Sequence, residues 1–142
     1  MYKKYNEIMD FIVNSLEGIE GFEDFKRIEL IENEEQFAYN YIDGKIHVNE
    51  NKDDKDFAEF MVNYLKEKFE LEITEDKLYI FNFIHEVGHS QTIDKVDTTR
   101  YYDEVSRISA DDYLSYRQIH AEYIADLWAA QFIEAFEEVL DI

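Results

Sequence analysis

Residues 85–89, His-Glu-Val-Gly-His, place the strongest constraint on how this chain can fold. On a helix, positions i and i+4 lie on one face, so His85 and His89 can bind one metal ion together. Glu86 lies about 100° further around the helix axis, where it can reach a water molecule beside the metal. The pentapeptide therefore predicts a metal site to which a second element must bring a third ligand.

The residues that precede the pentapeptide indicate that it lies inside a hydrophobic core. Residues 78–84 read Leu-Tyr-Ile-Phe-Asn-Phe-Ile, an almost wholly apolar run that is too short to cross a membrane and is typical of a buried helix. Polar side chains at the end of such a helix need partners, because an unsatisfied buried polar group is costly. A metal ion would provide one partner for both histidines, and a pair of hydrogen-bonded core histidines is the simpler alternative.

The third ligand is expected from residues 120–132. The chain contains no cysteine, so a catalytic zinc site, which usually has three protein ligands, must use His, Asp or Glu here. This segment has apolar residues at helical spacing and neither Gly nor Pro, which predicts a helix with Glu122 and Asp126 on one face. We expect Glu122 to bind the metal and Asp126 to accept the ring N–H of His85. In so acidic a chain, a solvated helix face is the alternative for both carboxylates.

Two alanines of the same segment favour a packed face over a solvated one. Ala125 and Ala129 lie close to the face of Glu122, and such small side chains let two helices approach closely enough to share a metal ion. His120 is the rival third ligand, although on a helix it would point away from the Glu122 face.

The motif at 85–89 followed by Glu122-x-x-x-Asp126 resembles the pattern of gluzincins, a group of zinc metallopeptidases. The spacing Glu-x-x-Ala-Asp-x-x-Ala is similar to that of small intracellular zincins, including the ImmA/IrrE-like peptidases of bacteria and their mobile elements. The resemblance covers residues 76–135. It implies an α+β zincin-like fold, one Zn2+ ion as cofactor and the hydrolysis of peptide bonds, and it identifies no substrate.

In this interpretation Glu86 is the general base that takes a proton from a water molecule activated by the metal. The oxyanion that then forms needs a further stabilising group. Tyr116 and His120 are the first choices, because they lie between the second histidine of the motif and Glu122, where a cleft wall would form. The wider set in this stretch is Tyr101, Tyr102, Tyr113 and Arg117. Ordinary packing is the simpler role for any of the tyrosines.

Length and composition favour a single domain over residues 1–142, and the resemblance implies that this domain is zincin-like. The chain has 34 acidic and 14 basic residues, a net charge of −20. Such a charge repels nucleic acid and anionic membranes and favours basic partners or basic peptide substrates, although solvation of the surface is the simpler explanation. The absence of cysteine excludes disulfides, and the N-terminal segment lacks an apolar signal core, so we expect a cytoplasmic protein.

Two other classes of function stay open. The first is an acidic interaction protein, such as a DNA mimic, in which the charge itself binds a basic partner. It does not require the pentapeptide. The second is a zinc-binding domain without turnover, which does not require Glu86. Two histidines and a carboxylate also accept Mn, Fe or Co in place of zinc.

The remaining elements are predicted from apolar periodicity and turn residues. They are, in chain order, a helix over 3–17 ended by Gly18, a strand over 26–31, a hairpin of strands 36–42 and 45–49 around Asp43-Gly44, a helix from Asp54 or Asp56 to Phe69, the motif helix N-capped by Thr74, an irregular stretch over 91–110 and a short helix after Asp111 or Asp112.

This order of elements, an N-terminal helix, a small three-stranded sheet and then the two helices that share the metal, suits an α+β zincin-like single domain. By the resemblance, strand 45–49 is the candidate edge strand beside the cleft, where a peptide substrate would pair as an added strand. Its His47 is expected to face solvent, as a strand histidine ordinarily does.

Overall fold

The structure is a computed structural model, and it describes residues 2–22, 25–49 and 53–140. Helices and a small mixed sheet of three strands make up the regular structure of these residues, which confirms the predicted α+β class. The described residues form two compact units, within Met1–Asn51 and Lys52–Ile142, and the single domain stays a prediction. Among the described residues, no helix combines the length and the apolarity that a membrane span requires.

The first unit begins with α1, Tyr2–Leu16. Its apolar positions recur at helical spacing, and Ile8, Ile12 and Leu16 are buried along one face. Gly18 follows with a φ of 79°, a left-handed conformation that glycine adopts without the strain of a Cβ atom. The helix therefore ends where the sequence predicts.

Three short strands form the sheet of this unit: β1, Leu30–Glu32; β2, Ala38–Asn40; and β3, Lys45–Val48. β2 and β3 pair antiparallel, and Gly44 in the connecting turn has a φ of 69°, so the predicted hairpin is confirmed. β1 begins later than the predicted strand over 26–31 and has only three residues.

β3 is the central strand of the sheet. β1 pairs with it in parallel on one side and β2 in antiparallel on the other, so the prediction that β3 is a free edge for a peptide strand is wrong. The physical reason is backbone pairing: the N–H of Ile46 donates to the carbonyl of Glu29 at 3.0 Å, and the N–H of Asn33 donates to the carbonyl of Val48 at 2.8 Å, so the segment around β1 occupies the side of β3 that was expected to be free. His47 is partly exposed, as expected of a strand histidine, and its Nε2 lies 2.8 Å from Oδ2 of Asp43.

The second unit begins with α2, Lys55–Phe69, whose N-cap is Asp54, one of the two predicted residues. The motif helix α3, Leu78–Gln91, begins directly after a 3-10 turn, Glu75–Lys77, and its N-cap is Lys77. The prediction that Thr74 caps this helix is therefore wrong: Thr74 is at the N-cap position of the 3-10 turn and makes no side-chain capping hydrogen bond there. The apolar run that opens α3 is almost wholly buried, so the pentapeptide lies in a core as predicted.

The prediction of an irregular stretch over residues 91–110 is wrong, because this stretch contains helix α4, Thr98–Ser106. Asp97 caps the helix by accepting the backbone N–H of Arg100 at 3.2 Å. Arg100 then pairs with Glu104 one turn further along. No side chain of α4 is buried, and its clearest sequence signals are this cap and this charge pair.

Three helices complete the unit: α5, Tyr113–Gln118; α6, His120–Ala135; and α7, Glu137–Leu140. Asp112 caps α5 by accepting the backbone N–H of Ser115 at 3.1 Å. Of the two residues predicted to precede this helix, Asp111 and Asp112, the structure thus selects Asp112. α6 covers the whole of the segment that was predicted to carry the third ligand.

α3 and α6 pack backbone to backbone at Gly88. A Cβ atom at this position would lie 2.9 Å from the carbonyl oxygen of Ala125, closer than Cβ atoms approach backbone. Ala121, Ala125 and Ala129 are all buried, so the packed alanine face predicted for α6 is confirmed. This close approach brings polar side chains of the two helices into one cluster.

Candidate metal centre

Buried ionisable side chains of α3 and α6 meet where the two helices touch. They are His85, Glu86, His89, Glu122 and Asp126, with exposed fractions of 5%, 6%, 3%, 1% and 0%. The two carboxylates of α6 therefore do not form a solvated helix face, which was the simpler alternative for them.

Two histidines and one carboxylate converge in this cluster. Oε2 of Glu122 lies 2.9 Å from Nε2 of His85 and 3.2 Å from Nε2 of His89. Within the described part of the chain, these three residues are the group whose ligand atoms all lie within 4.8 Å of one another. Two imidazole nitrogens and a carboxylate oxygen are the donor set of one class of catalytic zinc site. His120, the rival third ligand, is exposed at the start of α6 and is not in this group.

Glu86 lies beside the converging atoms. Its Oε1 is 3.8 Å from Nε2 of His85 and 3.7 Å from Nε2 of His89. Both distances are longer than a hydrogen bond. The carboxylate is still close enough that one small molecule, such as water, would bridge it to the atoms that face the metal position. A general base needs this kind of position.

Asp126 lies behind His85. Its Oδ1 is 2.7 Å from Nδ1 of His85, while Nε2 of the same ring faces Glu122. The two atoms are close but do not meet the geometry of a hydrogen bond, so the contact is an electrostatic one. Burial lowers the pKa of His85, but the charges of Asp126 and Glu86 outweigh burial and raise this pKa to about 10. The two residues predicted as a ligand and its carboxylate partner are thus brought together.

Glu122 is held through both of its carboxylate oxygens. Tyr101 and Tyr116 donate their hydroxyl groups to Oε1 at 2.7 and 2.8 Å, and Arg117 donates from Nη2 to Oε2 at 3.0 Å. Burial would raise the pKa of Glu122, but the neighbouring His89 and His85 rings hold this pKa well below its usual value. The carboxylate is therefore ionised and fixed in orientation, as a metal ligand must be.

The two residues first chosen as oxyanion stabilisers lie in different surroundings. Tyr116 contacts Glu122 directly, and burial together with the charge of Glu122 raises its pKa, so its hydroxyl stays a donor. His120 instead lines a cavity of about 400 Å³, whose wall also includes Tyr101 and Lys95. Tyr101 belongs to both the cavity and the metal centre, so the two adjoin. The oxyanion role of Tyr116 and His120 stays a prediction.

Arg117 and Tyr101 have roles at the site that sequence reasoning missed. The sequence analysis places both in a possible cleft wall, whereas both contact Glu122. The contact of Arg117 with Glu122 depends on the break between α5 and α6 at Ile119, which helical spacing alone does not predict. Tyr101 could not be placed, because the helix that carries it was not predicted.

The charges of the cluster fit a divalent cation. Glu86, Glu122 and Asp126 provide three buried carboxylates, and Arg117 provides one buried cation. Without metal, the raised pKa of His85 means that its ring carries a proton, which offsets part of the negative charge. Metal ligation requires neutral histidines, and the protein groups then carry two net negative charges, which are strongly unfavourable if uncompensated. A divalent metal held by the two histidines and Glu122 would balance them, so donor set and charge agree.

Comparisons with protein-family models, with curated proteins and with solved structures found no match to this chain. Any assignment of function therefore depends on the residues and the geometry of the site itself.

Proposed function

We propose that this chain is a metal-dependent peptidase of the zincin type, with zinc held by His85, His89 and Glu122 and with Glu86 as general base. One observation carries the proposal: the ligand atoms of the three residues lie within 4.8 Å of one another. Glu86 lies beside them, with Oε1 3.7 Å from Nε2 of His89. A zinc site without turnover does not need this buried carboxylate.

Bound in this site, a divalent metal would act as a Lewis acid that acidifies a water molecule and polarises the substrate carbonyl. Glu86 would accept a proton from that water and pass it to the nitrogen of the departing amine. Asp126 cannot serve as this base, because its carboxylate lies on the far side of His85. Its part is to orient the ring of His85, so that Nε2 faces the metal position.

The substrate is proposed to be a peptide or protein segment. The cavity of about 400 Å³ beside the site has room for a side chain and shares Tyr101 with the metal centre. The net charge of −20 favours the approach of basic segments and opposes that of nucleic acid. No membrane partner is needed for this function.

Metal analysis of the purified protein tests the proposal. Wild type should contain one zinc per chain, and His89→Ala should contain far less, because only one histidine ligand is left. The matched control is His47→Ala, which removes a histidine that is bonded to Asp43 in the first unit. Absence of zinc from wild type after zinc has been supplied would overturn the proposal.

A second candidate function rests on the charge alone. With 34 acidic against 14 basic residues, the chain could bind a basic partner as a DNA mimic does. Such binding would weaken steeply with salt and would be the same in His89→Ala as in wild type. A peptidase requires the opposite pattern, in which loss of the metal removes activity.

A further inference from the structure

One buried guanidinium contacts both carboxylates that α6 contributes to the site. Nη2 of Arg117 lies 3.0 Å from Oε2 of Glu122, and its Nε lies 3.5 Å from Oδ2 of Asp126. The first contact is a hydrogen bond and the second is an ionic contact. Glu122 faces the two histidine rings, and Asp126 lies behind one of them. Arg117, near the end of α5, thus connects Glu122, the proposed third ligand, with Asp126, the partner of His85.

The side chain of Arg117 is itself held in place. It is 6% exposed, and its guanidinium carbon lies 5.2 Å from the ring centre of Tyr116, whose hydroxyl donates to Glu122. Nη1 points to Sδ of Met61 on α2, at 3.7 Å. Contacts with α2, with α6 and with Tyr116 of its own helix leave the guanidinium little freedom, so it can fix the position of the groups that it touches.

We propose that Arg117 is a positioning residue of the metal centre, which sets Glu122 relative to the His85–Asp126 pair and reduces the buried negative charge to the amount that one divalent ion balances. This inference rests on the proposed function, because it assumes that these residues hold a metal. It goes further in assigning the geometry of the ligand set to a residue that binds neither metal nor substrate.

The shape of the guanidinium is essential to this role. Arginine presents a planar fork of donors, whereas lysine carries one point charge that cannot contact two separated carboxylates in the same way. Arg117→Lys therefore keeps the charge and loses the double contact. If charge compensation alone mattered, this variant would bind metal as wild type does.

The test is the dissociation constant for zinc, measured by competition with a chromophoric chelator. We expect Arg117→Lys to bind zinc about tenfold to 100-fold more weakly than wild type, the effect of losing a partner of a metal ligand. The matched control is Arg107→Lys, an exposed arginine that pairs with Asp103 on α4 and should not change zinc binding. Equal affinity in wild type and Arg117→Lys would overturn the inference and leave the proposed function intact. Failure of wild type to bind zinc would overturn both.

A second measurement separates positioning from general packing. Since Arg117 acts partly through Asp126, Arg117→Lys should weaken zinc binding less in an Asp126→Asn background than in wild type. Additive effects would contradict the inference.

If Arg117→Lys is unfolded without metal, as judged by circular dichroism, titration with zinc should restore its fold, with a midpoint at least about tenfold above the wild-type dissociation constant. No folding at any zinc concentration would assign Arg117 to packing instead.

Discussion

The backbones of Gly88 and Ala125 are in contact, and this contact holds the two halves of the metal centre together. A Cβ atom on Gly88 would lie 2.9 Å from the carbonyl oxygen of Ala125 and 3.3 Å from its Cα. Gly88 directly precedes His89 on α3, and Ala125 directly precedes Asp126 on α6. The helix pair can therefore not separate here without moving His89, a proposed ligand, on one side and Asp126, the partner of His85, on the other.

We expect Gly88→Ala to destabilise the protein by about 1–3 kcal/mol, because the added methyl group meets rigid backbone. The better helix propensity of alanine, worth about 1 kcal/mol, offsets only part of this loss. Urea unfolding of metal-free protein measures the effect, and zinc affinity should fall in parallel. Unchanged stability and affinity would mean that the two helices do not approach as closely as described.

Glu86→Gln should retain zinc and lose peptide hydrolysis by about 10²–10⁴-fold, because the amide cannot accept the proton. The measurement is the turnover of a peptide mixture beside the zinc content of the same preparation. Glu134→Gln, an exposed residue of α6, is the matched control and should behave as wild type. Full activity in Glu86→Gln would remove this carboxylate from the mechanism.

The third ligand can be assigned by comparing Glu122→Gln with His120→Ala. Glu122→Gln keeps the shape of the side chain but removes its charge. Zinc affinity should therefore fall by more than about 100-fold, which is the largest loss expected when only a hydrogen-bond partner of a ligand is removed. His120→Ala should bind zinc as wild type does, since His120 is exposed and outside the ligand group. The reverse result would make His120 the ligand.

Tyr101→Phe and Tyr116→Phe each remove one hydroxyl group from Oε1 of Glu122. Each single change should weaken zinc binding by less than about tenfold, because the other hydroxyl remains, and the double variant should weaken it by about 10–100-fold. Tyr102→Phe, at a half-exposed neighbour on α4, is the control. If Tyr116→Phe lowers turnover while zinc binding is unchanged, the hydroxyl acts on the oxyanion as the sequence analysis predicts.

Asp97→Ala should destabilise the protein by about 1 kcal/mol, because α4 loses the side chain that caps it. The change should also weaken zinc binding slightly, since α4 carries Tyr101 to Glu122. Asp94→Ala, a nearby exposed residue that caps no helix, is the control for thermal unfolding. Equal melting temperatures in both variants would show that the cap does not stabilise α4.

Elements with a strong local pattern were predicted well, and elements without one were not. The apolar run before His85 and the alanines around Ala125 identify α3 and α6 because burial repeats along one helix face. α4 is missed because none of its side chains is buried and its clearest signals are an N-cap and charge pairs. The strand order could not be predicted, since the pairing of β1 with β3 joins segments that are distant along the chain.

The sequence by itself determined that His85, Glu86 and His89 share one buried helix, because their spacing and the apolar run before them are local properties. Only the tertiary structure decided that Glu122 reaches both histidine Nε2 atoms. Packing alone also decided that Arg117, Tyr101 and Tyr116 hold the carboxylate of Glu122. These contacts join α3, α4, α5 and α6, so they depend on how the helices pack and not on the residues of any one segment.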